Sequence, residues 1–192
     1  MSLVMTSGPA LEPVTLAEAK AHLRLDHTLE DSLIQSLIIT SRLHIEAALG
    51  LALITQTWSY FADRWPKAQR LVMPVRPVQA IASVRLWKTD GTSTTLPSSA
   101  FFLDGVGNPA RLVWQGAGPV ADPGRTVNGI EVAFTAGFGA APSDVPATIR
   151  HALLLLVAHW YENREPVDIG AAHNAVPSMV SELLEPHRRR RL

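Results

Sequence analysis

The chain has 192 residues, 47% of them apolar, which allows one good-sized domain or two small ones with a real core and excludes disorder as the default state. Seventeen basic residues balance seventeen acidic ones, so no overall charge draws the molecule to nucleic acid or to a membrane surface. Cysteine is absent, which removes disulfides, thiolate nucleophiles and cysteine-based zinc sites.

Residues 1–13 are punctuated by Ser, Gly and Pro and carry no basic stretch ahead of an apolar run, so they read as a flexible N-terminus and not as a signal peptide. Thr15-Leu-Ala-Glu18 has the form of a capping box, whose hydroxyl and carboxylate satisfy free amide donors at a helix start. That first helix is expected to end near Leu23. Thr28-Leu-Glu-Asp31 is a weaker second start, and Gly50 supplies a stop after Leu49. On a helical wheel this second helix gathers Leu33, Ile34, Leu37, Ile38, Ser41, Ile45 and Ala48 on one face, assigned to the subunit's own core. A second stripe, Ile39, Leu43 and Ala47, lies on the far side among Gln35, Arg42 and Glu46, preceded by the small Ser32 and Ser36. An aligned apolar stripe opposite a complete core face is a candidate for a helix-sized contact with another element or subunit. Coverage of that stripe by the inserted region is the alternative.

From Thr55 the period changes. Thr57–Phe61, Arg70–Met73, Ile81–Lys88, Thr92–Leu96, Phe101–Leu103, Arg111–Trp114 and Ile130–Thr135 are short, rich in β-formers and separated by Pro or Gly. Asp90-Gly91 is a hairpin signal, and the last run alternates Ile130, Val132 and Phe134 against Glu131, Ala133 and Thr135. Seven such runs suffice for a small antiparallel sandwich or barrel. Trp58, Tyr60, Trp65, Trp87 and Trp114 in this region could form a stacking platform, but basic neighbours are sparse and packing within the sheets is the favoured use.

Helix returns after Pro142, with Ser143 or Asp144 expected as the cap and Pro146 in the first turn, where its missing donor costs nothing. The stretch that follows carries Ile149, Leu153, Leu156, Val157 and Trp160 on its main face. Its rear holds Leu154, Leu155 and Ala158 beside His151 and Glu162, so it is apolar nearly all round and must be covered on more than one side. Its most apolar run, Ala152–Ala158, is far short of the roughly 20 residues that span a bilayer. A last short amphipathic helix is expected between Val176 and Pro186, followed by Arg188, Arg189, Arg190 and Arg191. That basic end is either a solvated tail or one that reaches an acidic surface or a phosphate backbone.

Chemistry has few places to hide. His159 and Glu162 stand one turn apart with His151 two turns upstream, but a metal site needs further ligands that no second pair provides, and polar contacts at a helix interface are the favoured reading. A buried neutral histidine there would make assembly sensitive to pH. The glycine loops at Asp104-Gly-Val-Gly-Asn108, Gly116-Ala-Gly118 and Gly137-Phe-Gly139 match no phosphate-binding pattern, and Asp104 and Asn108 lack the closing acidic residue of a calcium loop. No nucleophile elbow is present. The expectation is a protein that is not an enzyme and that holds no cofactor and no metal.

Several segments together carry a family resemblance. Pro13-Val-Thr-Leu-Ala-Glu-Ala-Lys-Ala-His-Leu-Arg-Leu-Asp26, Asp31-Ser-Leu-Ile, Ile45-Glu-Ala and Leu53-Ile-Thr-Gln-Thr-Trp58 resemble the opening of the head-tail connector, or adaptor, family of tailed bacteriophages and gene transfer agents. Pro77-Val-Gln-Ala-Ile-Ala-Ser-Val84, Phe134-Thr-Ala-Gly-Phe-Gly139 with Val145-Pro146, and Leu154–Arg164 agree in order and spacing, so the likeness runs from about Pro13 to Arg188. The resemblance implies a dodecameric ring beneath the portal that presents a platform to stopper or tail-terminator proteins, with DNA passing through its lumen without specific binding; the balanced charge and short apolar runs add the expectation of no membrane partner. It also implies a place in the neck of a virion or virus-like particle, after assembly in the host bacterial cytoplasm. A C-terminal segment that reaches the portal gives Leu183, Leu184 and Arg188 a role, with Arg189, Arg190 and Arg191 extending past the family pattern.

The resulting expectation is an α+β protein. Residues 1–13 form a flexible N-terminus, 14–54 and 143–165 a helical ring-forming core, 55–142 an inserted antiparallel β module, and 166–192 a C-terminal segment with a basic tail that reaches the portal. Apolar residues on two sides of the helices suit a heterologous closed ring, in which one face of each subunit meets a different face of the next. Ile39, Leu43, Ala47, His151, Leu155 and Glu162 are the expected subunit interface. The alternative is a nucleic-acid-binding accessory protein acting in DNA packaging through the arginine tail and the β-region aromatics.

Overall fold

The capping box at Thr15 is formed as the sequence requires: the Glu18 amide donates to the Thr15 hydroxyl at 3.2 Å, and the Thr15 amide donates to the Glu18 carboxylate at 2.8 Å. The computed structural model describes residues 1–118, 120–163 and 177–188. Its elements in chain order are β1 (Ser2–Ser7), α1 (Leu16–Leu23), α2 (Asp31–Leu49), β2 (Gln56–Ala62), β3 (Arg70–Val72), β4 (Val78–Trp87), β5 (Ser93–Thr95), β6 (Phe101–Asp104), β7 (Arg111–Trp114), β8 (Ile130–Ala136), α3 (Ala147–Glu162) and α4 (Ser178–Leu184). The fold is α+β, as expected. It divides into a β unit, Met1–Pro9 with Gly50–Phe138, and a helical unit, Ala10–Leu49 with Gly139–Leu192.

In the β unit one sheet has the order β1-β2-β8-β4-β5 and the other β3-β7-β6, with every ladder antiparallel. The alternation read from Ile130–Thr135 is realised in β8, the central strand of the larger sheet, where Ile130, Val132, Phe134 and Ala136 are buried. They meet Val84 and Leu86 of β4, Leu71 of β3 and Leu112 of β7 in one core between the two sheets. Burial of side chains of this size stabilises by about 1.5–3 kcal/mol each. Gly137 ends β8 at φ 142°, and a Cβ there would stand 2.6 Å from the Thr55 amide nitrogen and 2.7 Å from the Ile54 carbonyl, so only glycine fits.

Residues 1–13 depart from the expectation. Ser2–Ser7 is a strand that pairs antiparallel with β2, Leu3 against Tyr60 and Val4 against Ser59. A lone terminal segment gains order when it can satisfy its backbone donors on a sheet edge.

In the helical unit α1 ends where Arg24 takes a left-handed conformation, φ 58°, and its amide closes onto Ala21 while Leu25 closes onto Lys20. Lys20 of α1 and Asp31 of α2 form an ion pair at 2.7 Å. The buried face of α2 is Ile34, Ile38, Ser41, Arg42, Ile45 and Leu49, and that of α3 is Ile149, Ala152, Leu153, Leu156 and Val157. Val180 and Leu184 of α4 complete this core. Two readings need correction. Ala48, assigned to the core face of α2, is exposed. Neither Ser143 nor Asp144 caps α3: Pro146 occupies the cap position, and Asp144 instead accepts the Ala141 amide at 2.9 Å, closing the 3-10 turn Pro142–Asp144.

Candidate interaction surface

The feature of the helical unit that stands out chemically is a buried cation beneath an apolar stripe. Arg42 was expected on the outer side of α2, but it is only 6% exposed. Its Nε donates to Glu12 at 2.7 Å and its Nη1 to Glu46 at 2.8 Å, so one guanidinium ties the segment before α1 to two turns of α2. Burial opposes its charge most strongly, but the two carboxylates outweigh that and hold its pKa above the ordinary arginine value.

With Arg42 turned inward, its neighbours along the helix are free to face out. Ile39 is 41% exposed, Leu43 50%, and Ala47 is exposed as well. Beside Ile39 a groove of about 380 Å³ opens between α2 and the Leu11–Leu16 segment, walled by Leu11, Val14, Leu16 and Ile38. In this unit, then, the apolar stripe expected on the far side of α2 is accessible and continues into a concave apolar surface.

The other expected interface residues lie on α3. His151 and Glu162 are exposed in the subunit and Leu155 is half-buried. The His151 ring meets that of His22 on α1 edge to face, with centroids 6.4 Å apart, and His44 of α2 meets Trp160 in the same way at 5.6 Å. The Asn163 amide nitrogen donates to the His159 carbonyl at 2.7 Å, and the Tyr161 hydroxyl bonds Glu30. Arg150 secures the start of α1, with Nε donating to the Pro13 carbonyl at 3.0 Å and its guanidinium pairing with Glu18. The Glu18 carboxyl is held below its ordinary range, chiefly by the Thr15 amide and then by the Thr15 hydroxyl and Arg150. Among the described residues no group of three or more His, Cys, Asp or Glu side chains is placed to hold a metal ion.

Of the residues expected to reach a portal, Arg188 is exposed and pairs with Glu185 at 3.2 Å, and Leu183 is half-buried. Leu184 is 6% exposed and packs inside the helical unit, so its side chain serves the core and not an outside contact. The physical reason is the helical period: Val180 and Leu184, four residues apart, share the inward face of α4. Arg189, Arg190 and Arg191 lie outside the described residues.

In the β unit the aromatic residues do not form an open platform. Tyr60 is buried, Trp65, Phe101 and Trp114 pack as a cluster with neighbouring centroids 5.6 and 5.1 Å apart, and Trp87 donates to Glu131 beneath Arg125. The Asp104 loop is also committed, its carboxylate accepting from Arg111 and the Gly107 amide and thereby lowered in pKa, while Asn108 accepts from Arg76. No described helix is long and apolar enough to cross a membrane.

What sequence reasoning missed is the role of Glu12 and of Ser2–Ser7. Both act through partners far along the chain, and the only local trace of Glu12's partner was Arg42 standing four residues before Glu46.

No curated protein matches this sequence. Residues 13–94 match the phage gp6-like head-tail connector protein family. Among solved structures, a chain from the neck of an empty gene transfer agent particle, computed with C6 symmetry, shares 28% identity over 100% of this chain and 97% of its own length, with a TM-score of 0.83. A chain of a native gene transfer agent virion has 28% identity, the same coverage and a TM-score of 0.82. One from the native neck computed with C12 symmetry has 26% identity, again with 100% and 97% coverage, and a TM-score of 0.79. The resemblance carried by the sequence motifs is thus borne out: residues 13–94 are similar to the phage gp6-like head-tail connectors, and the whole chain is similar to a component of the gene transfer agent neck.

Proposed function

We propose that this chain is a non-enzymatic adaptor that closes into a dodecameric ring in the particle neck, between the portal and the stopper or tail-terminator protein, with DNA passing through its lumen. The observation that carries the reading is the accessible stripe Ile39, Leu43 and Ala47 with its adjoining groove, on a chain similar over its whole length to chains of gene transfer agent necks computed with C6 and C12 symmetry. A heterologous ring needs two different complementary faces on each subunit. The α2 stripe is one, and the exposed side of α3 around His151, Leu155 and Glu162 is assigned as the other. Leu183 and Arg188, with the arginines beyond, would contact the portal, each weakly, and twelve such contacts act together through avidity.

The test is imaging and native mass measurement of the purified chain alone and mixed with its portal. Twelve copies in a closed ring seated on the portal are expected. A chain that remains monomeric with its portal present, or that adds to the particle elsewhere than the neck, overturns the proposal. DNA binding across a salt series, with and without Arg188–Arg191, checks the lumen: weak binding unaffected by the deletion is expected. A steep loss of affinity with salt that vanishes on deletion would favour the packaging role instead.

A further inference from the structure

We infer that the ring is also sewn together through the β unit, by β1 of one copy adding as a strand to the open edge of β4 in the next. This rests on the ring reading above but concerns a different part of the chain. β1 is an outer strand of its sheet: it pairs with β2 on one side, and among the described residues nothing pairs with its other side. β4 is open as well. β5 covers it only at Arg85–Trp87, so Val78–Ser83 has β8 on one side and no described strand on the other. Both stretches lack charge and proline, and β1 exposes Leu3, Val4 and Met5 at 39, 48 and 46%. Unprotected apolar edges of this kind are templates for pairing with another chain.

Three features select a second copy as the occupant. First, direction: β1, β2, β8 and β4 alternate antiparallel, so β1 and β4 run opposite ways within one subunit. In a ring whose axis runs along the strands, rotation preserves direction, and the β1 of one copy would meet the β4 of its neighbour antiparallel at every junction. Second, shape: beside the open edge lies a groove of about 500 Å³, walled by Ala80, Ala82 and Ser83 on one side and Leu96, Phe101 and Leu103 on the other. A strand laid on β4 sends alternate side chains into that groove, and Leu3 and Met5, two residues apart on one face of β1, are exposed apolar residues that fit it. Third, selectivity: β4 carries two irregularities in its pairing with β8, which bend the edge and disfavour indiscriminate addition by flat strands.

The natural absence of cysteine makes the test direct. Leu3→Cys or Val4→Cys is combined with Ala80→Cys or Ala82→Cys in the full chain, and disulfides are scored after mild oxidation, in solution and in necks assembled on the portal. At least one double variant should give a ladder of covalent multimers. The corresponding single variants should stay uncoupled alone and stop at mixed dimers when combined. Rings of normal size in which no pair cross-links overturn the strand pairing while leaving the ring intact. Dimers from Val4→Cys or Leu3→Cys alone would show two β1 strands side by side, and coupling to a different neck protein would show that another chain takes the edge. Either result also overturns it. Failure to form any ring, with or without portal, removes this inference together with the proposal beneath it.

Discussion

Replacing Leu43 with aspartate separates the stability of the subunit from that of the ring. Leu43 is 50% exposed. Full burial of a leucine stabilises by about 1.5–3 kcal/mol, so covering the open half at a subunit junction contributes about 1 kcal/mol. A carboxylate in the same place adds a desolvation cost of about 2 kcal/mol or more. Together that is about 3 kcal/mol per junction, or roughly a hundredfold in each association step, repeated around the ring. Within the isolated subunit the substitution faces water and is expected to change folding stability by no more than about 0.5 kcal/mol. Sedimentation velocity and thermal melting read the two effects independently. Leu43→Asp should melt with the parent and sediment as a monomer at concentrations where the parent forms rings, and Leu43→Ala should fall between them. A Leu43→Asp variant that closes rings at the parent's concentration would refute the assignment of this stripe to the junction.

Other outcomes follow from individual contacts. Arg42→Met strands Glu12 and Glu46 without their shared cation and is expected to cost about 3 kcal/mol in chemical denaturation, with much of the loss recovered on adding Glu12→Gln and Glu46→Gln. Gly137→Ala forces a methyl against the Ile54–Thr55 backbone, which has no side-chain freedom with which to yield. Refolding yield and denaturant midpoint should both fall, the stability by about 2 kcal/mol or more. Glu18 has a folded pKa below its ordinary 4.5, so its stabilising contribution is complete above that value and is lost as the pH falls through the lower folded pKa. Melting temperature measured from pH 7 downward should therefore drop less steeply for Glu18→Gln than for the parent across the acid range.

The parts of the fold legible in the sequence were those written in local chemistry. The capping box at Thr15, the alternation in β8 and, except for Ala48, the core face of α2 need only neighbouring residues to be understood. What was not legible depended on distant partners. Ser2–Ser7 has no clean alternation, and becomes a strand because β2, fifty residues later, offers an edge. Arg42 looked like a surface residue because charged groups are rarely buried unless paired, and its second partner, Glu12, lies thirty residues away. Leu184 was assigned outward by family likeness, whereas the four-residue spacing from Val180 turns it inward. Ile39, Leu43 and Ala47, argued from periodicity, are exposed on the subunit as that argument requires.

The chain order of the larger sheet has a consequence for synthesis. Its central strand, β8, is the last of the five to leave the ribosome, and β2 and β4 must both wait for it before they gain their common neighbour. Meanwhile α1 and α2 are already made, but the helix that covers them, α3, begins only at Ala147. The nascent protein therefore carries unsatisfied greasy surface through most of its translation, a long-range wiring that slows folding and invites misassembly. Growth temperature and chaperone supply during expression should accordingly govern the yield of native subunit more strongly than any single surface residue does.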